Sequence, residues 1–339
     1  MKELGCAVHG AGWVSGEHIR AYAHNPHCRV VAISSRTEQS ARARMAECGL
    51  DCRLYTDYDR LLADPQVDCI SICTPNQLHA QETIKAARAG KHIVIEKPVA
   101  LNLADLRAMR QAVSDAGVKT VVSFVLRWNP LFDIIKSLLA RRAIGDLYYA
   151  EVDYWHGIGP WYKQYEWVTK QALGGSSFLA AGCHAVDAIR YLVGAEITEV
   201  RAFESGPAFG YEYSPTIVGI VKFDNGVIGK LSSCVQARMP YSFNLDLLGK
   251  EGAIRNNRLY SVTMLPGQKE FATIPTILPD SGDVTHHPFQ GEIDHFVDCI
   301  LNDVESHVNL DDAVRTHEVC FALDESAAAG GEKVTLPYA

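Results

Sequence analysis

Short apolar runs alternate with helix-like stretches through the first third of the chain, and this rhythm limits the possible folds more than any other feature. The candidate strands lie at residues 4–8, 29–34, 67–73, 92–95 and 119–124. Strands separated by helical stretches predict β-α-β units, and hence a parallel sheet with helices on both faces. The chain is therefore expected to begin with a doubly wound α/β domain.

The pattern changes after Pro130. A helix-like segment at 131–141 is followed by segments with period-two alternation, interrupted by one helix from about 177 to 193. The alternating segments lie at residues 147–155, 199–203, 217–223, 227–234, 243–248 and 259–265. They predict a second, α+β domain with a large, mainly antiparallel open sheet. We place the boundary between residues 126 and 127, with the final helices at 289–301 and 310–329 free to pack back on the first domain.

Composition excludes several classes of protein. A chain of 339 residues suits two domains, and its net charge of −8 disfavours nucleic acid as a partner. An uninterrupted apolar run of 18 residues is missing, so no membrane association is expected. The ten cysteines include no C-x-x-C pair, which favours reduced thiols and no zinc site. The chain starts without a secretion signal, so we expect a cytoplasmic location.

Residues 10–16 read G-A-G-W-V-S-G directly after the first strand and open a helix. Gly10 would allow the tight turn, and Gly12 would let the backbone approach a pyrophosphate at the helix terminus. Ser15 takes the place of the third glycine, while Trp13 and Val14 lie in the same turn. The pattern predicts dinucleotide binding by residues 1–126; the alternative is a purely structural glycine turn.

The end of the second strand bears on which dinucleotide is bound. A carboxylate here would bind the adenosine ribose and repel a 2′-phosphate, but this chain has Ser35 followed by Arg36. A hydroxyl and a guanidinium favour NADP. In the alternative interpretation, Arg36 lies over the adenine as a solvated side chain, and the cofactor is NAD.

Three further segments carry a family resemblance. Residues 74–79 read T-P-N-Q-L-H, residues 89–98 read A-G-K-H-I-V-I-E-K-P, and residues 174–187 contain G-G-S-S and G-C-H-A-V-D. Over essentially its whole length the chain resembles the glucose-fructose oxidoreductase, inositol dehydrogenase and MocA family. The resemblance implies an N-terminal Rossmann domain that binds NAD or NADP. It also implies that residues 127–339 bind a sugar, glycoside or cyclitol and form homodimers or homotetramers through the open sheet.

Lys97 is the main catalytic candidate. It follows the apolar strand 92–95 and precedes Pro98, at the sheet edge where open α/β sheets bind ligands. An ammonium there can polarise a carbinol or carbonyl oxygen and exchange its proton as hydride moves. In the family the matching lysine does this, commonly after a cis peptide. The alternative is a solvated surface lysine.

The resemblance also supplies cofactor contacts. Asn76 and Glu96 match positions near the nicotinamide ribose, and Arg127 with Trp128 and Asn129 match positions that line the cleft. The predicted cofactor-binding residues are therefore Gly10, Gly12, Trp13, Val14, Ser35, Arg36, Thr74, Asn76, His79, Glu96, Lys97 and Arg127. Helix capping by Asn76 and packing by Trp128 are the structural alternatives.

The chain departs from the family at one position. Family dehydrogenases commonly carry an aspartate one helical turn before the histidine that matches His184, but this chain has Ala180 there. Either His184 and Lys97 work without that carboxylate, or another residue supplies an acid or base. Asp187 lies one turn beyond His184. Relatives also carry an acid at this position, which indicates a structural role.

An aromatic segment at 155–165 is the best candidate for the residues that surround the substrate in place of the missing carboxylate. Aromatic faces with interleaved donors suit the two faces of a sugar ring. The predicted substrate-binding residues are Lys97, Arg127, His156, Trp161, Tyr162, Lys163, His184 and Asp187. Tyr165 in the same segment is a further candidate. The alternative is that the segment is a packed loop or a subunit contact. His156, His184 and His287 have no spacing that requires a metal, and His286 and His287 are further candidates for the cleft.

Two enzymatic functions remain open, besides a non-catalytic nucleotide sensor. In the first, a dehydrogenase oxidises a secondary hydroxyl or reduces the ketone, with His184 exchanging the carbinol proton. In the second, an NAD-dependent glycosidase oxidises the sugar transiently, eliminates the aglycone, adds water and returns the hydride. Ala180 favours the second by altering the acid–base residues, whereas the presence of both Lys97 and His184 disfavours a sensor.

Overall fold

A computed structural model describes residues 3–280 and 287–338 of the chain. The chain divides into a first unit, Met1–Val125 with Pro288–Val314, and a second unit, Leu126–His287 with Arg315–Ala339. His286, a candidate for the cleft, lies outside the described residues. None of the helices in the described ranges is long and apolar enough to cross a membrane.

The amino-terminal elements alternate as predicted. The strands are β1 (Leu4–His9), β2 (Cys28–Ser34), β3 (Arg53–Tyr55), β4 (Cys69–Ile72), β5 (His92–Ile95) and β6 (Thr120–Val122). The helices are α1 (Ser15–His24), α2 (Glu38–Cys48), α3 (Tyr58–Leu62), α4 (His79–Arg88) and α5 (Leu103–Ala116), with 3₁₀ turns at Asn76–Leu78 and Val125–Trp128.

All six strands pair in parallel in the order β3-β2-β1-β4-β5-β6, which confirms the predicted Rossmann sheet. The central strands β1 and β4 are fully buried because helices cover a parallel sheet on both sides. Strand β3 was not predicted. It lies at the sheet edge and is three residues long, too short to show a hydrophobic period.

Helix α5 shows how local chemistry sets these boundaries. The side chain of Asn102 caps the helix by accepting a hydrogen bond from the Asp105 amide at 2.9 Å. Gly117 ends the helix at φ +63°, a conformation that costs glycine little. These two residues therefore set the two ends of the helix.

The remaining elements build the second sheet and its helices. The strands are β7 (Leu147–Trp155), β8 (Ile197–Glu204), β9 (Thr216–Phe223), β10 (Ile228–Cys234), β11 (Ser242–Gly249), β12 (Gly252–Arg255), β13 (Arg258–Ser261), β14 (Ala272–Thr273) and β15 (Val334–Thr335). The helices are α6 (Pro130–Ala140), α7 (Tyr165–Val168), α8 (Gln171–Gly174), α9 (Cys183–Val193), α10 (Phe289–Leu301) and α11 (Leu310–Ala328), with a π-helical turn at Phe178–Gly182. Helix α10 belongs to the first unit.

The second sheet has nine strands in the order β14-β13-β12-β11-β7-β10-β9-β8-β15. Its strand pairs are antiparallel except β7 with β10, which confirms the predicted mainly antiparallel sheet. The segment 259–265, predicted as a strand, ends at Ser261, and β12 was missed. Strands β12 and β13 form a tight hairpin, too short for either to show a clear alternation.

One face of this sheet carries exposed apolar side chains. Buried and exposed residues alternate along β9, as expected for a sheet covered on one side. Phe203 lies opposite Val218 on the neighbouring strand, and Ile220 follows two residues later. Phe203 is 69% exposed and Ile220 is 61% exposed. These three residues are the exposed sheet patch.

Candidate active site

The glycine turn after β1 fits a pyrophosphate. Gly10 has φ +104°, and a Cβ there would lie 2.4 Å from the carbonyl oxygen of Cys73. Gly12 is exposed, and the Ser15 hydroxyl donates to its carbonyl oxygen at 2.7 Å. Helix α1 begins directly after this turn, so its free amides and dipole favour an anion there.

Other side chains border the same turn. Trp13 is exposed, and Val14 is half-buried immediately before α1. Arg44 of α2 donates from Nη2 to the Gly12 carbonyl oxygen at 2.7 Å and from Nη1 to Glu47 at 2.8 Å. The sequence analysis missed Arg44, because α2 reads as an ordinary charged surface helix.

At the end of β2, Ser35 is half-buried and Arg36 is exposed. The Ser35 hydroxyl lies 2.7 Å from the hydroxyl of Ser40 at the start of α2. The position where a NAD-specific site would place a carboxylate therefore holds neutral hydroxyls beside a guanidinium.

A buried polar cluster underlies this strand end. His9, the last residue of β1, bonds through Nδ1 to the Ser34 hydroxyl, and its Nε2 lies 3.0 Å from Glu82 Oε1. The Tyr58 ring stacks on the His9 ring with centroids 4.1 Å apart. Sequence reasoning missed this cluster; the available signal was a histidine ending an otherwise apolar, buried strand.

The loops after β4 and β5 are joined by His79. Its Nδ1 lies 2.7 Å from the Pro98 carbonyl oxygen and its Nε2 lies 2.8 Å from the Thr74 carbonyl oxygen. Asn76 is buried and opens the 3₁₀ turn between Thr74 and His79. Three predicted cofactor residues are thus brought together, with His79 holding the loops in place.

Lys97 lies at the carboxyl end of β5. The strand ends at buried Ile95, Lys97 is half-buried, and the Lys97–Pro98 peptide is cis, as the resemblance implies. Glu96 is buried, and its Oε1 lies 2.8 Å from Nε2 of His18 on α1. The sequence analysis missed His18, a fully buried polar residue on an amphipathic helix.

The surroundings of His18 and Glu96 favour the charged form of both side chains. Burial alone would lower the pKa of His18, but Cys73 and Glu96 raise it well above its usual value. Burial alone would raise the pKa of Glu96, but the His18 hydrogen bond and the charges of His18 and Lys97 bring it below its usual value. The residue before Lys97 is therefore a carboxylate paired with an imidazolium.

In the second unit, His184 is buried in the first turn of α9. The predicted helix over 177–193 begins as the π-helical turn that contains Ala180, a geometry often found at functional sites. A Cβ on Gly182 would lie 2.6 Å from Ser233 Cβ, so glycine lets this turn approach β10 closely. Ala180 packs against the buried cluster that includes Tyr211 and Tyr213.

Aromatic rings surround His184 and His156. Tyr154 stacks on His184 with ring centroids 6.0 Å apart, and His156 meets Tyr162 edge-on at 6.1 Å. The Tyr241 ring lies 5.0 Å from that of Tyr154 and 5.3 Å from that of His156. Burial raises the pKa of each tyrosine, so all three phenols stay protonated. Sequence reasoning missed Tyr154 and Tyr241, whose only signal was aromatic character at strand ends.

Two predicted substrate residues lie apart from this aromatic cluster. Trp161 is 75% exposed, and Lys163 is exposed. The Tyr165 hydroxyl donates to the Phe209 carbonyl oxygen at 2.9 Å. The segment 155–165 thus has an inner face with His156 and Tyr162 and an outer face with Trp161 and Lys163.

Arg127 and Asp187 form a buried ion pair. Arg127 donates from Nε at 2.9 Å and from Nη2 at 2.6 Å to the two carboxylate oxygens of Asp187. The guanidinium also lies over the Tyr191 ring, 4.8 Å from its centroid. Asn129 caps α6 by accepting from the Leu131 amide. Asp187 therefore fixes Arg127 and the start of the second unit.

Within residues 3–280 and 287–338, no group of three or more His, Cys, Asp or Glu residues could hold a metal ion. His156, His184 and His287 do not form such a group there.

Known proteins resemble this chain throughout. Scyllo-inositol 2-dehydrogenase (NAD(+)) of Bacillus subtilis (strain 168) is 27% identical over 324 residues, 91% of this chain and 92% of that protein. Levoglucosan dehydrogenase of Pseudarthrobacter phenanthrenivorans is 27% identical over 292 residues, 75% of this chain and 73% of that protein. The crystal structure of aldose-aldose oxidoreductase from Caulobacter crescentus, complexed with glycerol, has a TM-score of 0.85 at 26% identity, covering 99% of this chain and all of that one.

Family models match both parts of the chain. The model described as an oxidoreductase family with an NAD-binding Rossmann fold matches residues 4–124, and the GFO/IDH/MocA C-terminal domain matches residues 132–255. Since both domain models of one family occur in order on a single chain, the protein belongs to the GFO/IDH/MocA family of oxidoreductases.

Proposed function

We propose that the protein is an NAD(P)-dependent dehydrogenase that exchanges hydride with a secondary hydroxyl or ketone of a sugar, glycoside or cyclitol. The observation that carries this proposal is Lys97, held half-buried at the end of β5 beside the Glu96–His18 pair. The names of the related inositol and levoglucosan dehydrogenases support the substrate class.

Each residue has a defined role in this proposal. A bound nicotinamide supplies the hydride acceptor or donor. Lys97, as an ammonium, donates to the substrate oxygen and polarises it. His184 takes the carbinol proton during oxidation and returns it during reduction. The glycine turn, Thr74, Asn76 and Glu96 bind or orient the dinucleotide.

The aromatic cluster forms the substrate shell. Tyr154, Tyr162 and Tyr241 offer ring faces to the apolar faces of a sugar and protonated phenols to its hydroxyls. His156 adds a polar atom in the same place, with Trp161 and Lys163 at the outer side. The ion pair of Arg127 with Asp187 holds α9, the helix that carries His184, in place. In this proposal, these polar side chains together take the place of the aspartate that family dehydrogenases commonly carry at the position of Ala180.

For the cofactor, we propose a preference for NADP over NAD. The support is the absence of a carboxylate at Ser35 and Arg36, where a 2′-phosphate would meet hydroxyls and a guanidinium. The family description names NAD binding without deciding this preference.

We also propose that the protein self-associates through the exposed sheet patch of Phe203, Val218 and Ile220. Contiguous exposed apolar side chains of this kind usually mark an interaction surface. The family resemblance implies assembly through this sheet, so the expected partner is a second copy. Replacing Ile220 by lysine should lower the molecular mass measured by sedimentation, and an unchanged mass would contradict the proposal.

The decisive experiment incubates the protein with NAD⁺ or NADP⁺ and a panel of inositols, anhydrosugars and glycosides in D₂O. A dehydrogenase gives a net rise in NAD(P)H absorbance and a ketone product. Aglycone release with deuterium beside the transient ketone, and no net reduced cofactor, would instead support the glycosidase. Absence of both reactions with every substrate would refute the proposal.

A further inference from the structure

The carboxylate of Glu82 on α4 bonds to the ends of two neighbouring strands. Its Oε1 lies 3.0 Å from Nε2 of His9, the last residue of β1. Its Oε2 accepts from the hydroxyl of Thr74, in the loop after β4, at 2.5 Å. The Glu82 side chain is only 10% exposed. A carboxylate buried to this extent needs partners, and here each of its two oxygens has one.

The hydrogen bonds around Glu82 have a defined direction. An ionised carboxylate only accepts, so His9 donates from Nε2 and Thr74 donates from its hydroxyl. With that proton fixed, Nδ1 of a neutral His9 ring accepts from the hydroxyl of Ser34, the last residue of β2. The Tyr58 ring stacks on His9, and its hydroxyl donates to the Glu82 carbonyl oxygen at 3.0 Å. Glu82 therefore determines which nitrogen of His9 carries the proton and where the Thr74 hydroxyl points.

The strand ends that Glu82 joins lead directly into two of the proposed cofactor loops. Gly10 opens the glycine turn and follows His9, while the loop 74–79 follows Cys73. The Cys73 amide donates to the His9 carbonyl oxygen at 2.7 Å. A Cβ on Gly10 would lie 2.4 Å from the Cys73 carbonyl oxygen. Backbone contacts thus bring the two loops together, and Glu82 ties a side chain from one to a side chain from the other.

We propose that Glu82 is a positioning residue for dinucleotide binding: its carboxylate holds the glycine turn after β1 and the loop after β4 at the spacing that the cofactor requires. This inference rests on the proposed function, which assigns the cofactor to these loops. Glu82 acts through His9 and Thr74. Without the carboxylate these two side chains lose their common acceptor, and the loops have to be ordered when the cofactor binds. The cost therefore falls on cofactor affinity and not on the hydride-transfer step.

The test compares the dissociation constants of NADPH and NADH, measured by fluorescence titration, for the wild type and Glu82→Gln. An amide has one acceptor oxygen, so its nitrogen faces either His9 or Thr74, and one hydrogen bond to a charged group is lost. Both dissociation constants should rise about tenfold for this reason. At saturating cofactor, kcat and the KM of the sugar should stay near the wild-type values.

Asp64→Asn is the control for a merely structural loss. It makes the same change at another buried carboxylate of the first unit, which accepts from the Tyr55 hydroxyl at 2.9 Å. This variant should lower the midpoint of thermal unfolding and leave both dissociation constants unchanged. If it weakened binding as much as Glu82→Gln, lost stability alone would account for the effect, and the inference would be wrong.

A double-mutant cycle with Thr74→Val tests the route of the effect. Valine keeps the branched shape of threonine and removes the hydroxyl that Glu82 accepts from. Because both changes act on one hydrogen bond, the rise in the double variant should be smaller than the product of the two single rises. Multiplying effects, or an unchanged dissociation constant in Glu82→Gln, would overturn the inference. If the proposed function fails instead, the wild type gives no turnover, while its NADPH dissociation constant still differs from that of Glu82→Gln.

Discussion

The two units carry their candidate functional residues in different ways. In the first unit, consecutive residues at the ends of parallel strands, such as 10–16, 74–79 and 96–98, supply main-chain groups and a single lysine. In the second, single side chains from distant segments, among them Tyr154, His184 and Tyr241, form an aromatic cluster. The first arrangement suits a cofactor common to a family, and the second suits one particular substrate. We therefore expect changes in the first unit to affect the chemistry, and changes in the aromatic cluster of the second, apart from His184, to affect mainly substrate selection.

The largest expected effect is at Lys97. Lys97→Met should lower kcat/KM by about 10³-fold, because removing one positioned donor to the reacting oxygen costs about 10²–10³-fold. Lys97→Arg should recover little of this, since a planar guanidinium does not replace a compact ammonium at a fixed site. Fluorescence titration should show cofactor binding near the wild-type level. Near-normal turnover in either variant would remove Lys97 from the mechanism.

His184 tests whether the second unit also contributes to the chemistry. His184→Gln should lower kcat by about 10²-fold, because it removes the base that takes the carbinol proton. A raised KM with unchanged kcat would mean that His184 only binds the substrate, and the contrast between the units would become sharper.

The Arg127–Asp187 pair should affect folding rather than chemistry. Asp187→Asn leaves a buried guanidinium without its counter-charge, which costs about 3 kcal/mol in the free energy of unfolding. Urea titration followed by circular dichroism measures this loss. Glu166→Gln removes an exposed carboxylate from the same unit and should change the midpoint little. A destabilisation equal to that of the control would contradict the structural assignment of Asp187.

The same contrast explains which features could be predicted. Lys97 and the glycine turn could be found because each lies within a contiguous motif at a strand end. The pair of His18 with Glu96 could not, since these residues are far apart in the sequence and meet only once α1 packs beside the end of β5. The π-helical turn at Ala180 also escaped prediction, because a close approach between Gly182 and Ser233 sets it rather than the helical period.

Cofactor choice offers a smaller effect within the first unit. Ser35→Asp places a carboxylate where a 2′-phosphate is proposed to bind, and like-charge repulsion should weaken NADP binding about thirtyfold. NAD binding should change little or improve. Gln39→Glu adds the same charge to the exposed start of α2 and serves as the matched control. Equal affinities of the wild type for both dinucleotides would already reject the NADP preference.

The smallest effect is expected for the phenols of the second unit. Tyr154→Phe and Tyr241→Phe keep the rings in place and remove only a hydroxyl, so each should lower kcat/KM about threefold to tenfold, the usual net value of one hydrogen bond. The loss should appear in KM, because a phenol that stays protonated orients the substrate without transferring its proton. A hundredfold fall in kcat for Tyr154→Phe would instead identify its hydroxyl as the group that replaces the carboxylate missing at Ala180. In that case the aromatic cluster would take part in the chemistry as well as in substrate selection, and the contrast between the two units would no longer hold.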